Sequence, residues 1–239
     1  MNGKTSHSKS RRSCFIVFEG IDGTGKGTLI RLLQSRLVTA ALSKIISGRR
    51  IVHYKQPGGT ELGDKLRELL FTTITTKRMA PNVADLLMLA SHLQGTEDII
   101  LPALEAGCIV IADRYWYSQY AYAAGRKVSP SVMGTWRELQ GPDADVLFIL
   151  EGDPAAVTKR AHARLGETHQ QGKAWGDEDS QIKVAKSYRR EFTKYKQTVW
   201  VPTDERTPQE IFNESIWPVV LTRLKETCKS YGSFGEWGL

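Results

Sequence analysis

Short apolar runs, rich in β-branched and aromatic residues, recur along the chain and are separated by longer segments with a helical pattern. The runs lie at Cys14–Glu19, Ile51–Tyr54, Cys108–Ala112, Val146–Leu150 and Thr198–Val201. Their hydrophobicity is continuous rather than alternating, which is typical of parallel strands buried on both faces. The pattern therefore predicts an α/β domain in which helices cover both faces of a parallel sheet.

Two of the intervening segments carry an apolar stripe at helical spacing. Lys26–Val38 forms its stripe from Leu29, Leu32, Leu33 and Leu37. Asn82–Ala106 forms a similar stripe from Leu86, Leu89, Leu93 and Ile100. We predict one domain over residues 13–226, preceded by a disordered basic arm at residues 1–12 and followed by a tail at residues 227–239.

The first predicted strand runs directly into a glycine-rich loop and then into the first predicted helix. The loop reads EGIDGTGKGT from Glu19 to Thr28. In this strand–loop–helix context, backbone N–H groups and the helix N-terminus bind phosphate, and a lysine adds a mobile cation. We therefore predict a P-loop for ATP, formed by Gly20, Gly23, Thr24, Gly25, Lys26, Gly27 and Thr28.

One position of this loop departs from most P-loops. Gly27 stands where a Ser or Thr usually binds Mg²⁺. Mg²⁺ keeps several waters and is often held through substrate phosphates, so the missing hydroxyl does not remove it as the predicted cofactor.

A charged pair follows the third predicted strand. Asp113 and Arg114 come directly after CIVIA, and the carboxyl ends of parallel strands face the ligand crevice. We expect Asp113 to hold Mg²⁺ through water and Arg114 to bridge the donor and acceptor phosphates.

Three further segments resemble the thymidylate kinases, a family of P-loop nucleoside monophosphate kinases. KQPGGT from Lys55, followed by KLRELL, is similar to the family's REPGGT…IRxLL. DRYWYSQYAY from Asp113 is similar to DRYxxSxxAY, and KRAHAR from Lys159 to the RARAR run that opens the lid. The resemblance implies a P-loop-type three-layer sandwich with a five-stranded parallel sheet, a homodimer, and the reaction ATP + dTMP = ADP + dTDP.

The resemblance also implies roles for residues around the acceptor nucleotide. Asp22 matches a carboxylate that meets the acceptor sugar, and Ser118 and Tyr122 match positions that line the acceptor pocket. Lys55 stands where the family has an arginine that binds the acceptor phosphate, and Arg67 is expected to help bind the same phosphate.

The polar, glycine-containing stretch 164–179 is expected to form most of a lid over residues 160–179. Arg160 and Arg164 match lid arginines that close on the transferred phosphoryl group, and they complete a catalytic set with Lys26, Asp113 and Arg114. His162 replaces another basic position of the family's lid.

The base pocket matches the family less well. Met88 and His92 stand where the family has a phenylalanine that stacks on thymine and an arginine that bonds to it. Met88 is expected to contact a ring and His92 to donate one hydrogen bond, unless both side chains simply pack between helices.

These departures keep two alternatives to dTMP phosphorylation open. The first is the same reaction on another or a broader range of nucleoside monophosphates, such as dUMP. The second is a nucleotide-binding regulator without turnover, suggested by Gly27, His162 and the basic arm. A nucleoside kinase is disfavoured, because residues 53–56 after the second strand offer no carboxylate to serve as a base for a hydroxyl acceptor.

Charge supports nucleotides rather than nucleic acid as partners. The 33 Lys and Arg against 26 Asp and Glu give a net charge of +7. Most of the surplus lies in residues 1–12 and in residues 153–196, which include the lid arginines. We expect no nucleic-acid partner.

Cysteine usage and the apolar runs indicate a cytoplasmic protein. The 3 cysteines have no disulfide or metal spacing, and we expect Cys14 and Cys108 to be buried thiols. The chain has no secretory signal pattern and no apolar run long enough to span a membrane, so we expect no membrane partner.

Overall fold

The computed structural model describes residues 13–41, 46, 48–75, 79–123, 128–165, 178–203 and 206–229. Its strands are β1 Cys14–Gly20, β2 Ile51–Lys55, β3 Ile109–Asp113, β4 Val146–Glu151 and β5 Thr198–Pro202. Each predicted strand is confirmed, with ends that differ by no more than about one residue. The predicted arm at residues 1–12 lies outside the described residues, as does residue 230 onward in the predicted tail.

The five strands form one sheet in the order β2-β3-β1-β4-β5, and every pair is parallel. The predicted five-stranded parallel sheet is therefore confirmed. β1 lies at the centre, where Phe18 is opposite Asp113 of β3 on one side and Phe148 of β4 on the other. This register brings the loop that follows β1 beside the loop that follows β3.

Helices connect and cover the strands. They are α1 Lys26–Ala41, α2 Glu61–Thr75, α3 Pro81–Gly95, α4 Leu101–Glu105, α5 Trp116–Ala123, α6 Pro130–Leu139, α7 Pro154–Leu165, α8 Glu178–Phe192, α9 Pro208–Ile211 and α10 Trp217–Lys229. No helix within these described ranges is long and apolar enough to cross a bilayer.

The segment Asn82–Ala106 is helical but not one regular α-helix. A π-helical turn over Thr96–Ile100 separates α3 from α4, and the N–H of Leu101 bonds to the carbonyl of Thr96, five residues back. Pro102 follows at once and has no N–H to donate to an earlier turn. The wider turn and the proline together explain why the hydrogen-bond pattern changes. Of the predicted stripe, Leu89 and Ile100 are buried, whereas Leu86 is 47% exposed.

Two hydrophobic clusters lie on the two faces of the sheet. Alternate residues of β1 point to opposite clusters, with Phe15 and Val17 in one and Ile16 and Phe18 in the other. Cys14 and Cys108 are both buried thiols, as predicted. Because all seven residues of β1 are buried, the strand that ends in the glycine loop is held rigidly.

Replacing Phe18 with alanine tests how far β1 is fixed by packing. Phe18 is 0% exposed, and its ring centroid lies 5.1 Å from that of Phe148. We expect Phe18→Ala to lower the free energy of unfolding by about 3–5 kcal/mol, measured by urea titration. Val38→Ala on α1, where the side chain is 64% exposed, should change it by less than about 0.5 kcal/mol. Equal effects of the two changes would contradict this description.

Candidate active site

The glycine loop is closed by backbone geometry and by one side-chain bond. Gly20 has φ +126°, and a Cβ at this position would collide with the carbonyl oxygen of Leu150, so only glycine fits. The hydroxyl of Thr24 donates to the carbonyl of Ile21 at 2.8 Å. The loop therefore turns tightly from the end of β1 into the N-terminus of α1, the arrangement that binds phosphate.

Lys26 is a buried cation inside this loop. Its ammonium donates to the carbonyls of Gly20 and Ile21, both at 2.9 Å. Burial, and then the positive charge of Arg114, lower the pKa of Lys26 to about 8, against the opposing effect of nearby carboxylates. The side chain remains mainly charged at neutral pH, and a phosphate anion beside it would stabilise that charge further.

Arg114 adopts a strained backbone conformation at the end of β3. Its φ is +69°, which is uncommon for a residue other than glycine, and its N–H bonds to the carbonyl of Phe18 at 3.0 Å. The guanidinium is buried and donates to Asp22 at 2.8 Å and to the hydroxyl of Tyr122 at 3.2 Å. Such strain is concentrated at functional sites in proteins.

The charges around Arg114 keep it ionised. Burial alone would lower the pKa of Arg114, but Tyr122 and Asp22, with Tyr188 and Glu19, raise it above its ordinary value. The fixed positive charge lies between the carboxylate of the P-loop and a group of hydroxyls, where an anionic ligand would compete for it.

The end of β2 and the helix α2 bring two further cations to the same edge of the sheet. Lys55 is opposite Asp113 in the β2–β3 register, and its side chain is exposed. Arg67 of α2 donates to the carbonyl of Pro57 at 3.0 Å. Arg67 is half-buried, and burial lowers its pKa while Asp113 opposes that change.

A cavity lies between this loop and α5. Its volume is roughly 280 Å³ including the part open to solvent, and its wall is formed by Gln56, Pro57, Met88, Arg114, Ser118, Gln119 and Tyr122. Four of the predicted residues, Met88, Arg114, Ser118 and Tyr122, are brought together here. The two glutamines were not predicted, since neither carries charge nor belongs to a motif position with a stated role.

Gln119 supplies a donor that the described part of the chain leaves unused. The residue is 2% exposed, and its Nε2 has no hydrogen-bond partner among the described residues. A buried amide without a partner costs free energy unless a ligand or water satisfies it. A hydrogen-bond acceptor on a bound ligand would fill this role.

His92 lies behind the wall of the cavity rather than on it. Its ring is 0% exposed and packs against Tyr115 and Trp136, with centroid distances of 4.8 and 5.1 Å. One ring nitrogen lies 3.1 Å from the amide of Gln56 and the other 3.0 Å from the carbonyl of Gln140. The observed position is thus the packing between helices that the sequence left open, and any effect of His92 on a ligand passes through Gln56.

The arginines of the predicted lid are only partly described. Arg160 is exposed on α7. Its guanidinium lies beside Gly152, since a Cβ built on that glycine would be 3.6 Å from Nη2 of Arg160. The backbone of Arg164 belongs to α7, but its side chain lies outside the described residues, as do the side chain of His162 and residues 166–177. The lid over residues 160–179 therefore stays a prediction.

A buried carboxylate that the motifs did not single out lies at the centre of the site. Glu19 is 0% exposed and accepts hydrogen bonds from Tyr115, Ser118 and the hydroxyl of Tyr188. Its only signal in the sequence is a charge at the end of an otherwise apolar strand. Tyr188, in α8, gave no signal at all.

The site geometry agrees with what the whole chain resembles. Residues 18–216 match the family model for thymidylate kinase. This chain belongs to the thymidylate kinase family. The thymidylate kinase of Thermosipho melanesiensis is 41% identical over 113 residues, which are 47% of this chain. The same match covers 51% of that relative, or about half of its length.

Two further comparisons extend over more of the chain. The thymidylate kinase of Bifidobacterium longum is 34% identical over 170 residues, which cover 69% of this chain and 77% of that protein. The crystal structure of thymidylate kinase from Ehrlichia chaffeensis superposes with a TM-score of 0.62 at 25% identity, covering 87% of this chain and 98% of that chain. The thymidylate kinase fold thus accounts for nearly the whole described domain.

The residues present fit a magnesium ion held with a nucleotide rather than by a cage of protein ligands. In the parts of the chain that are described, no three potential metal-ligating side chains cluster together. Asp22 and Asp113 are close enough to Lys26 to influence its pKa. Mg²⁺ sites that use one or two carboxylates together with substrate phosphates need no more than this.

Buried His92 makes the stability of this family member depend on pH. Burial lowers the pKa of His92 to about 4, whereas an unfolded histidine titrates near 6.5. The unfolded state therefore binds more protons between these values, and this contribution to stability, about 2–3 kcal/mol, is lost as pH falls from 6.5 to 4. His92→Gln should show a shallower fall in the free energy of unfolding over that range, measured by urea titration at each pH. Parallel curves for the two proteins would be inconsistent with a buried neutral imidazole.

Proposed function

We propose that this chain transfers the γ-phosphoryl group of ATP to dTMP, giving ADP and dTDP. The observation that carries the proposal is the position of Arg114. Its buried guanidinium donates through Nη2 to Asp22 of the P-loop and to Tyr122 of the cavity wall, and through Nη1 to Ser118 of the same wall. A cation that joins a nucleotide triphosphate loop to a second pocket is suited to bridge a donor and an acceptor phosphate.

The reaction needs positioning and charge neutralisation more than acid–base chemistry. An oxygen of the dTMP phosphate attacks the γ-phosphorus of ATP, and the bond from that phosphorus to the β–γ bridging oxygen breaks, leaving ADP. The attacking oxygen is already anionic at neutral pH, so no general base is required.

The chain's own cations divide the work. Lys26 and the amides of the loop from Gly20 to Thr28 bind the donor phosphates, while Arg114, with Lys55 and Arg67, holds the acceptor phosphate. Repulsion between the two anions would otherwise keep them apart, since two unit charges at about 4 Å repel by several kcal/mol in a partly buried site.

Mg²⁺ would be held by the ATP phosphates and through water by Asp113, with Asp22 beside it. When bound, the ion neutralises charge on the transferred phosphoryl group. Asp22 also remains the candidate for the acceptor sugar hydroxyl. Binding of ATP would draw Arg114 away from the carboxylate of Asp22, which could then contact that hydroxyl.

The predicted lid would complete the site. We propose that Arg160 and Arg164 approach the transferred phosphoryl group when residues 160–179 close. Arg160 is favoured by its place near Gly152, at the end of the strand next to β1. We also propose that residues 13–226 form the kinase domain, with a basic arm at residues 1–12 and a tail at residues 227–239. The last helix, α10, continues into the start of that tail, to Lys229.

The cavity supports a pyrimidine acceptor. Met88 is in its wall, and the unused donor of Gln119 would meet an acceptor atom on the base edge. His92 is held away from the ligand, so the pocket lacks a charged donor to thymine. This observation favours one second candidate, namely the same reaction on a broader set of monophosphates that includes dUMP.

An assay of several acceptors tests the activity. Wild-type protein with Mg·ATP should release ADP fastest with dTMP among dTMP, dUMP, dCMP, UMP and AMP. Lys26→Ala should lower kcat by about 100-fold or more, because a preorganised donor of charge to the phosphates is lost. Lys225→Ala, an exposed change on α10, should leave the rate unchanged.

Each outcome of that assay has a distinct meaning. Equal rates with dTMP and dUMP would replace the dTMP assignment by the broader one. No turnover of any monophosphate, together with measurable ATP binding, would overturn the kinase proposal and favour a regulator.

We also propose a homodimer that buries the outer face of α2 and α3. Leu62 and Leu69 are exposed on α2 with a spacing of seven residues, and Val83 and Leu86 are exposed on α3 with a spacing of three. These spacings place each pair on one helix face, and α2 and α3 pack against each other. Exposed apolar patches of this kind often mark protein interfaces.

ATP and free nucleotides are cytoplasmic metabolites, and we place the dimer in the cytoplasm.

The mass in solution tests the dimer. Sedimentation equilibrium should give twice the chain mass of 26.8 kDa for wild type, and the chain mass for the double variant Leu69→Asp/Leu86→Asp, because charges would be buried without partners. Val38→Asp on α1, also exposed, should remain dimeric. A wild-type mass equal to one chain would refute the proposed interface.

A further inference from the structure

Glu19 connects four separate parts of the structure. It belongs to the end of β1, and its partners lie in the loop after β3, in the first turn of α5 and in α8. The N–H groups of Tyr115 and Ser118 donate to Oε1 at 2.8 and 3.1 Å. The hydroxyls of Ser118 and Tyr188 donate to Oε2 at 2.6 and 2.7 Å. Each carboxylate oxygen therefore receives two donors.

This arrangement fixes the direction of the hydroxyl of Ser118. Its proton points to Glu19 at 2.6 Å, which leaves its oxygen free to accept from Arg114 Nη1 at 3.0 Å. A neutral partner at position 19 would allow the hydroxyl to rotate and donate elsewhere. The carboxylate thus determines how Ser118 meets the guanidinium.

Tyr188 strengthens the same set of bonds from a different helix. It is 1% exposed, and besides its bond to Glu19 its hydroxyl lies 3.1 Å from the hydroxyl of Ser118 and 3.5 Å from Arg114 Nη1. Arg114 Nη1 also lies 3.7 Å from Glu19 Oε2. Nη1 of the guanidinium is thereby held by Ser118, Tyr188 and Glu19, and Nη2 by Asp22 and Tyr122.

We propose that Glu19 and Tyr188 are positioning residues that hold Arg114 and Ser118 in the geometry needed to bind the acceptor phosphate. This inference rests on the proposed phosphoryl transfer. Both residues act through Arg114 rather than by contact with substrate. The guanidinium depends on such bonds because it is a buried charge, in a residue that is 7% exposed. Removing either partner should impair use of the acceptor and spare binding of ATP.

A purely structural role for the same residues makes a different prediction. Glu19 also caps the N-terminus of α5, because it accepts from the N–H of Tyr115, just before the helix, and shares the N–H of Ser118 with the carbonyl of Tyr115. Loss of a cap lowers stability without distinguishing between the two substrates. The decisive change is therefore one that removes a single hydroxyl and leaves the cap and the packing in place.

Tyr188→Phe is that change. The ring remains packed beside Phe192, whose centroid lies 6.1 Å away, and only the O–H is lost. Tyr195→Phe is the matched control, since Tyr195 packs on the same Phe192 at 5.3 Å and no bond joins it to Glu19 among those described. Steady-state kinetics with dTMP and with ATP varied separately, calorimetric binding of dTMP, and Tm are measured for all three proteins.

We expect Tyr188→Phe to lower kcat/KM for dTMP by about tenfold and to weaken dTMP binding, with KM for ATP within about twofold of wild type and Tm close to that of the control. A kcat/KM for dTMP within twofold of the Tyr195→Phe control would overturn the inference. An equal loss for both substrates, or a fall in Tm that accounts for the lost activity, would also overturn it. If wild-type protein turns over no monophosphate, the proposed function fails instead, and calorimetry with dTMP still compares the variants.

Glu19→Gln adds a pH profile that a structural cap would not alter. Burial raises the pKa of Glu19, while Arg114 and the hydroxyls of Ser118 and Tyr188 oppose that change. As pH falls through this raised pKa, wild-type Glu19 gains a proton and can no longer accept all four bonds. The groups whose pKa values respond to the charge of Glu19 are present in both proteins, namely Lys26, Arg114, Tyr122 and Tyr188. Wild type should lose kcat/KM for dTMP towards low pH more steeply than Glu19→Gln, and identical profiles would contradict the role of the carboxylate.

Discussion

The site is organised around the buried guanidinium of Arg114. Burying this charge costs free energy, which the surrounding groups must offset. A buried charge is tolerated only when it is paired and hydrogen-bonded. Here Asp22, Tyr122 and Ser118 meet the guanidinium directly, and the buried carboxylate of Glu19 orients Ser118. Lys26 lies beside the same charges, and its pKa is lowered first by burial and then by Arg114. These groups stabilise one another, so replacing one of them should weaken the hydrogen bonds of the others.

The topology of the sheet makes this concentration of charge possible. β1 lies between β3 and β4, so the loops after β1 and β3 are adjacent at their carboxyl ends. The register sets Phe18 opposite Asp113, and the next residues on each strand are Glu19 and Arg114. Packing of both faces of β1 holds the two loops in fixed relation, which a reaction governed by positioning requires.

Much of this arrangement could be predicted from the sequence because its signals are local. Continuous apolar runs located the strands, and the glycines with Lys26 located the phosphate loop. The partners of Glu19 could not be predicted, since Tyr188 is 169 residues away along the chain and gives no local pattern. The position of His92 was decided by packing against Tyr115 and Trp136, and the π-helical turn by hydrogen bonding around Pro102; neither is visible in hydrophobic spacing.

The central claim is that Arg114 joins the donor and acceptor phosphates. A crystal structure of the chain with ADP and dTMP bound tests it most directly. We expect the guanidinium of Arg114 to lie within about 3 Å of a dTMP phosphate oxygen, and Lys26 to turn from the carbonyls of Gly20 and Ile21 to the ADP phosphates. A dTMP phosphate bound elsewhere, with Arg114 still bonded only to Asp22 and the cavity hydroxyls, would contradict it.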